Sequence, residues 1–282
     1  MNKKGYLYLV LKRFLSKKSS TISLFVVILF ILLSFFAPLI SPYEPDLINV
    51  DKILLPPSLE HPFGTDALGR DVFTRVMYGG RVSLLVGFVA EGIAVIIGVI
   101  VGSISGYFGG RIDNIIMRFV DVMLCFPVFF LILSVVAYVD PTIWNIMLVI
   151  GLTGWMPIAR LVRAEFLSLR EREFVLYEKV IGVDNFTIIF KHMLPNALNP
   201  VIVSAAFGVA GAILLETALS FLGLGVQPPT PSWGNILTSG KDMLGVAWWI
   251  SFFPGIFILI SVLCYNLIGE GLKDALNPKI YE

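Results

Sequence analysis

Few side chains in this 282-residue chain are of a type and spacing that could do chemistry. The two histidines, His61 and His192, lie far apart in sequence without further ligands at metal-site spacing, so each reads as an ordinary loop histidine. Cys125 and Cys264 both fall in apolar runs and read as packing residues, because a disulfide framework or zinc site wants more ligands at short spacing. Gly234 to Lys241, GNILTSGK, looks like a phosphate loop. It has one residue too many between its glycines, and Asp242 stands where Ser or Thr should follow the lysine. No nucleotide-binding signature is left, so any ATP that drives this protein is expected to be hydrolysed on another polypeptide. Glu91, in VGFVAEGIAV, and Glu216, in AILLETALSF, lie inside apolar runs. Each is costly at bilayer depth unless it faces a cavity or a partner. A proton relay or substrate contact is one reading; an interhelical hydrogen bond or contact with a water-filled path is the favoured one. Asp113, Asp121 and Glu270 lie nearer the ends of their runs and are expected to be solvated. Nothing here converges as nucleophile, base and metal ligand, so neither an enzyme nor a resident cofactor or metal is expected.

One further stretch stands out: Arg163 to Asn196, RAEFLSLREREFVLYEKVIGVDNFTIIFKHMLPN. It is one of the two long intervals without a membrane-length apolar run, and its Arg163, Arg170, Arg172, Lys179 and Lys191 read as a basic flank. Ser168 followed by Glu171 reads as a capping box. Gly182 suits the left-handed residue just past a helix end. Together they predict a helix over about 169–181. Asp184 or Asn185 can cap a second short helix through Phe190, and Pro195 fits only the first turn of the helix after it. On the first of these helices Phe174, Tyr177, Glu178 and Ile181 share one face by their spacing. That face is expected to dock on a soluble partner; packing back on the chain's own membrane domain is the alternative.

The elements that must hold this stretch are membrane spans. Apolar residues make up 57% of the chain and charged ones 15%, against about a quarter charged in soluble domains. Runs at Ile22–Ile40, Val82–Ile104, Ile115–Val139, Ile143–Ile158, Ala197–Leu222 and Trp248–Ile268 predict six crossings and an all-α membrane protein. The first run is longer than a signal-peptide core and ends in a Pro-containing segment, so an uncleaved span is favoured. Residues 1–21 form a basic N-terminal segment, 22–282 one transmembrane domain, 41–81 a long outer loop and 163–196 an ordered loop on the other side. With the N-terminus inside, the cytoplasmic segments collect sixteen of the 21 Lys and Arg residues. The positive-inside rule then puts both termini and the 163–196 element in the cytoplasm. Gly98, Gly102 and Gly106 repeat every four residues and predict close packing of the second span on another helix.

Four stretches together resemble one family: the 163–196 element, HPFGTDALGRDVFTRVMYGGR (61–81), SFLGLGVQPPTPSWGN (220–235) and GLKDALNPK (271–279). The family is the permease subunits of bacterial ATP-binding-cassette importers, in the branch for di- and oligopeptides or nickel, and this chain is similar to the shorter of the two permease types. The resemblance implies a type I importer permease in the bacterial cytoplasmic membrane. It implies a second permease, two cytoplasmic ATPase subunits carrying ATP and Mg2+, an extracytoplasmic binding protein, and no nucleic acid. Its coupling loop reads Glu-Ala-Ala, three residues, Gly, nine residues, Ile, any residue, Leu-Pro. Gly182, Leu194 and Pro195 stand in that register, with His192 at the Ile position. The Glu-Ala-Ala triad falls on Leu176, Tyr177 and Glu178 and is lost. By this resemblance Phe174, Leu176, Tyr177, Glu178, Ile181, Gly182, Leu194 and Pro195 are the expected ATPase-coupling residues, and peptides, with nickel or a metal chelate as the alternative, the expected cargo. An ion-coupled carrier built on Glu91 or Glu216 is the rival from another class.

Overall fold

The computed structural model describes residues 3–277, and among these it is helical with no strand; Thr65 and Asp71 form one isolated bridge. Lys279 and the Pro278–Lys279 end of GLKDALNPK lie outside the described residues. The helices are α1 (Lys3–Ser16), α2 (Lys18–Phe35), α3 (Val72–Phe108), α4 (Gly110–Leu124) and α5 (Val128–Val136). They continue with α6 (Ile143–Arg170), α7 (Glu173–Val180), α8 (Asn185–Phe221), α9 (Trp233–Gly240) and α10 (Trp249–Leu276). Five are long and apolar enough to cross a membrane, and α4 with α5 makes a sixth if the bent pair is one span.

Several boundaries differ from those expected from the apolar runs. The third span is broken: α4 and α5 meet at 82°. Pro127 has no N–H to give and disfavours helical backbone at Phe126, so the helix stops at Leu124 and restarts after the proline. Cys125 sits exposed at this break instead of packing, whereas Cys264 is buried. The second span starts ten residues early, at Val72, because the Asp71 carboxylate accepts from the Thr74 backbone N–H at 2.7 Å and caps it. The final helix runs on past Ile268 to Leu276, and most of the basic N-terminal segment is the helix α1.

The scaffold is centred on α3 and α6. A Cβ on Gly98 would lie 2.7 Å from Ile158, and one on Gly102 would lie 2.5 Å from the Ala159 carbonyl oxygen. One on Gly106 would lie 2.5 Å from the Cβ of Phe166. The four-residue glycine strip thus has its partner: it lets the α3 backbone lie directly on α6. Asp113 is not solvated as expected. It is buried and held by both the Ser105 hydroxyl and the Arg163 guanidinium, which tie α4 to α3 and α6. α6 also continues well beyond Ile158, through Ser168 to Arg170, with Phe166 wholly buried. The expected capping box at Ser168 and Glu171 therefore does not form, because packing of Phe166 carries the helix through it.

At the opposite end of the bundle α9 is sunk between α3 and α10. Trp233 is 1% exposed. Its indole N–H donates to the Val76 carbonyl at 2.9 Å, and its backbone N–H donates to the Ser83 hydroxyl. The outer loop is tied down too. His61, expected to be an ordinary loop residue, is buried, stacked on Tyr43 and 2.9 Å from Asp71. Trp249 at the start of α10 donates to the Thr65 carbonyl at 3.0 Å.

Candidate coupling site

The 163–196 element is built from the end of α6, all of α7 and the start of α8. Only two residues separate α6 from α7, and Arg172 precedes α7 without a side-chain cap. Helix α7 is therefore shorter and starts later than the 169–181 helix expected from sequence. Its exit matches a Schellman arrangement. The Val183 N–H donates to the Glu178 carbonyl at 3.0 Å and the Gly182 N–H to the Lys179 carbonyl. Gly182 has φ +81° with open space where a Cβ would sit, so backbone conformation is the reason for glycine here.

Asp184 then caps α8, accepting from the Thr187 backbone N–H at 2.8 Å, and that bond holds its carboxyl below the usual range. The second short helix does not end at Phe190. It passes through a π-type turn at Ile188–Met193 into the long span, giving one helix from Asn185 to Phe221. Pro195 falls in the first turn after the π segment and brings no N–H, and the Asn196 side-chain amide donates to the His192 carbonyl at 2.6 Å.

One side of α7 faces the bundle. Val175 is 0% exposed and sits in a core with Phe166, Ile188, Ile189 and Met193, against which Leu194 and Val183 also pack. Lys179 lies over the Tyr107 ring at 4.9 Å, and burial pushes its ammonium pKa down. The Tyr107 hydroxyl in turn donates to the Asn185 side-chain oxygen at 2.6 Å, so the end of α3 holds the start of α8. Glu178 also points inward, to His192 at 2.9 Å.

The outward side is apolar. Val180 is 85% exposed and Tyr177 66%; Leu176, Ile181 and, less so, Phe174 are exposed too, as is Phe186 at the start of α8. The face is thus rotated from the one expected: its centre is Leu176–Tyr177–Val180, while Glu178, placed on it from spacing, lies on the other side of the helix. The rotation has a physical cause, since Val175 is the residue the core takes. The element's five Lys and Arg residues are matched by Glu165, Glu171, Glu173, Glu178 and Asp184, and Arg163 is spent on Asp113. What this element offers a partner is an apolar ridge on a neutral frame. Leu176 was placed here only through the family register, and Val180 and Phe186 were missed.

The two intramembrane glutamates lie elsewhere. Glu216 on α8 is fully buried and bonded to the hydroxyls of Ser220 at 2.7 Å and Ser232 at 2.9 Å, with Ser83 at 3.5 Å. It is an interhelical hydrogen-bonding centre that joins α3, α8 and the cap of α9. Glu91 on α3 is half-buried, its carboxylate lying where a Cβ on Gly208 of α8 would fall, 2.1 Å away. Neither is near the coupling element.

Known proteins with this pattern are numerous. Residues 98–281 match the family described as the binding-protein-dependent transport system inner membrane component, and residues 5–57 match the N-terminal transmembrane domain of oligopeptide transport permease C. The chain is 44% identical to a dipeptide transport system permease protein of Alkalihalophilus pseudofirmus, over 95% of this chain and 88% of that one. It is 40% identical to an oligopeptide transport system permease protein of Bacillus subtilis, over 95% and 88%. A probable D,D-dipeptide transport system permease protein of Escherichia coli is 39% identical over 90% and 85%. Among solved structures, the inward-facing MetNI methionine ABC transporter superposes with a TM-score of 0.58 at 16% identity, covering 72% of this chain and 96% of that one. That likeness is one of fold. The chain therefore belongs to the family of binding-protein-dependent transport system inner membrane components, the ABC importer permeases.

Proposed function

We propose that this chain is the membrane-spanning permease subunit of an ATP-driven importer and forms half of the translocation path for di- or oligopeptides. The observation that carries the reading is α7: a short helix pinned on one side to the bundle, joined rigidly to two long helices, and apolar on its free side. Such a ridge suits a groove on a soluble subunit, whose motion would then move α6 and α8 together. Relatives named as dipeptide and oligopeptide permeases, at 40–44% identity over nearly the whole chain, support peptides as cargo. The partners in this reading are a second permease, two ATPase subunits that hold ATP and Mg2+, and a binding protein that meets the outer loops. The distribution of sixteen of the 21 Lys and Arg residues supports cytoplasmic termini and a cytoplasmic α7, in a bacterial cytoplasmic membrane. This chain itself makes and breaks no covalent bond.

The test is purification of the tagged chain from its native membrane in mild detergent, followed by reconstitution with the binding protein. ATP-dependent uptake of a radiolabelled dipeptide, unaffected by collapse of the ion gradients, is the expected result. A chain recovered without ATPase subunits, or uptake that follows the ion gradient, would overturn the reading in favour of a secondary carrier.

A further inference from the structure

The coupling helix could be seated by packing alone, but one polar contact on its inner side does more than fill space. Glu178 accepts from the His192 ring, Nδ1 to Oε1 at 2.9 Å, and its side chain is only 14% exposed although much of α7 is open. Its second carboxylate oxygen is buried without a hydrogen-bond partner, so His192 is what compensates the group. His192 lies in the π-type turn at the root of α8, with its carbonyl fixed by Asn196.

The geometry matters because the other attachments of α7 have little directional preference. Val175 in its apolar pocket and Lys179 over the Tyr107 ring resist withdrawal of the helix but permit it to roll. Successive residues of a helix point about 100° apart. A modest roll would therefore turn Leu176, Tyr177 and Val180 off their outward direction. A hydrogen bond between carboxylate and imidazole is directional and so opposes roll and sliding alike.

We propose that Glu178 and His192 are a positioning pair: a strut that sets the roll of α7 and passes its displacement directly into α8. This rests on the coupling reading above. The strut links an ATPase-facing helix to the span that carries Glu216 at its other end, so displacement of α7 reaches the hydrogen-bonding centre at Glu216 through one helix.

The test uses the complete reconstituted importer with E178A, H192I, E178Q and the double variant E178A/H192I, reading peptide taken up per ATP hydrolysed and the amount of assembled complex. H192I leaves the largely buried Glu178 carboxylate unpaired and E178A leaves the half-buried His192 ring without its acceptor; each removes the contact, and uptake per ATP should fall about tenfold while ATP hydrolysis continues. E178Q keeps an acceptor for the histidine N–H and should stay near wild type. The double variant removes the same contact as either single, so its ratio should stay at about the tenfold loss of the singles instead of falling to their product, the non-additivity that marks a direct pair. If H192I or E178A transports at the wild-type ratio, or if the double variant is as uncoupled as the product of the singles, the strut is wrong. Should E178A not assemble, H192I and E178Q still decide the matter from the two sides of the contact. Wild-type complex without ATP-driven peptide uptake would instead bring down the importer reading itself.

Discussion

The chain contains two eight-residue helices set between spans, α7 at one end of the bundle and α9 at the other, and they are fixed in opposite ways. Helix α9 is gripped on all sides. Ser232 and Asn235 close a reciprocal capping box at its start, Glu216 accepts from the same serine, and Trp233 is buried with both its N–H groups bonded. Helix α7 has no side-chain cap at its start, one buried valine, one polar pin and an apolar face left open. The difference separates an element that completes its own fold from one that, in the proposed reading, another subunit completes. A permease needs both: a closed end that holds the spans in register, and an end that yields to an external force.

Substitutions should therefore cost stability at α9 and cost coupling at α7. The largest loss is expected for Trp233→Ala, about 3–5 kcal/mol, since it empties a wholly buried indole site; thermal unfolding in detergent, followed by size-exclusion of the surviving monodisperse fraction, reads it. Glu216→Ala comes next, at about 1–3 kcal/mol for the serine hydroxyls it orphans, and Glu216→Gln should recover part of that in the same assay. Gly182→Ala forces a Cβ into left-handed backbone at about 1–2 kcal/mol. Its open surroundings mean that the loss should appear as local fraying of α7 in hydrogen exchange more than as a lower melting temperature. Tyr177→Asp, on the open face, should change stability by less than about 0.5 kcal/mol and yet abolish uptake; a variant that keeps full transport would erase the distinction between the two helices.

The smallest effect concerns acid. Asp184 has a carboxyl pKa held down by the Thr187 N–H, so its cap is fully present above the ordinary aspartate pKa and is lost as pH falls through the lowered one. Exchange at the first amides of α8 should speed up in that acidic window alone, while α9 stays protected.

How much of this was legible beforehand followed from the reach of the interactions involved. Gly182, Asp184 and the four-residue glycine strip act through the local backbone or a helix period, and each appeared in the place and role its type suggested. Ser168 and Glu171 carry the same kind of local signal as Ser232 and Asn235, yet only the latter pair caps a helix. What decides is tertiary: buried Phe166 holds α6 helical through Ser168, and no sequence window contains that contact. Spacing misplaces Glu178 for the same reason, since Val175, entering a core shared with α6 and α8, decides which side of α7 turns inward. Asp113 with Arg163 joins residues distant in sequence and left no periodic trace. Pro127 was visible, but the apolar run around it outweighed the break that it imposes.

The central claim is that the Leu176–Tyr177–Val180 ridge is the surface that meets the ATPase. It is tested most directly by placing a single cysteine at Val180 in a chain with Cys125 and Cys264 replaced, and applying a short bifunctional crosslinker to the assembled complex. The account predicts one dominant product joining this chain to an ATPase subunit, with Val180 shielded from a soluble thiol reagent until that subunit is stripped away. Free labelling in the intact complex, or crosslinks only to the second permease, would contradict it.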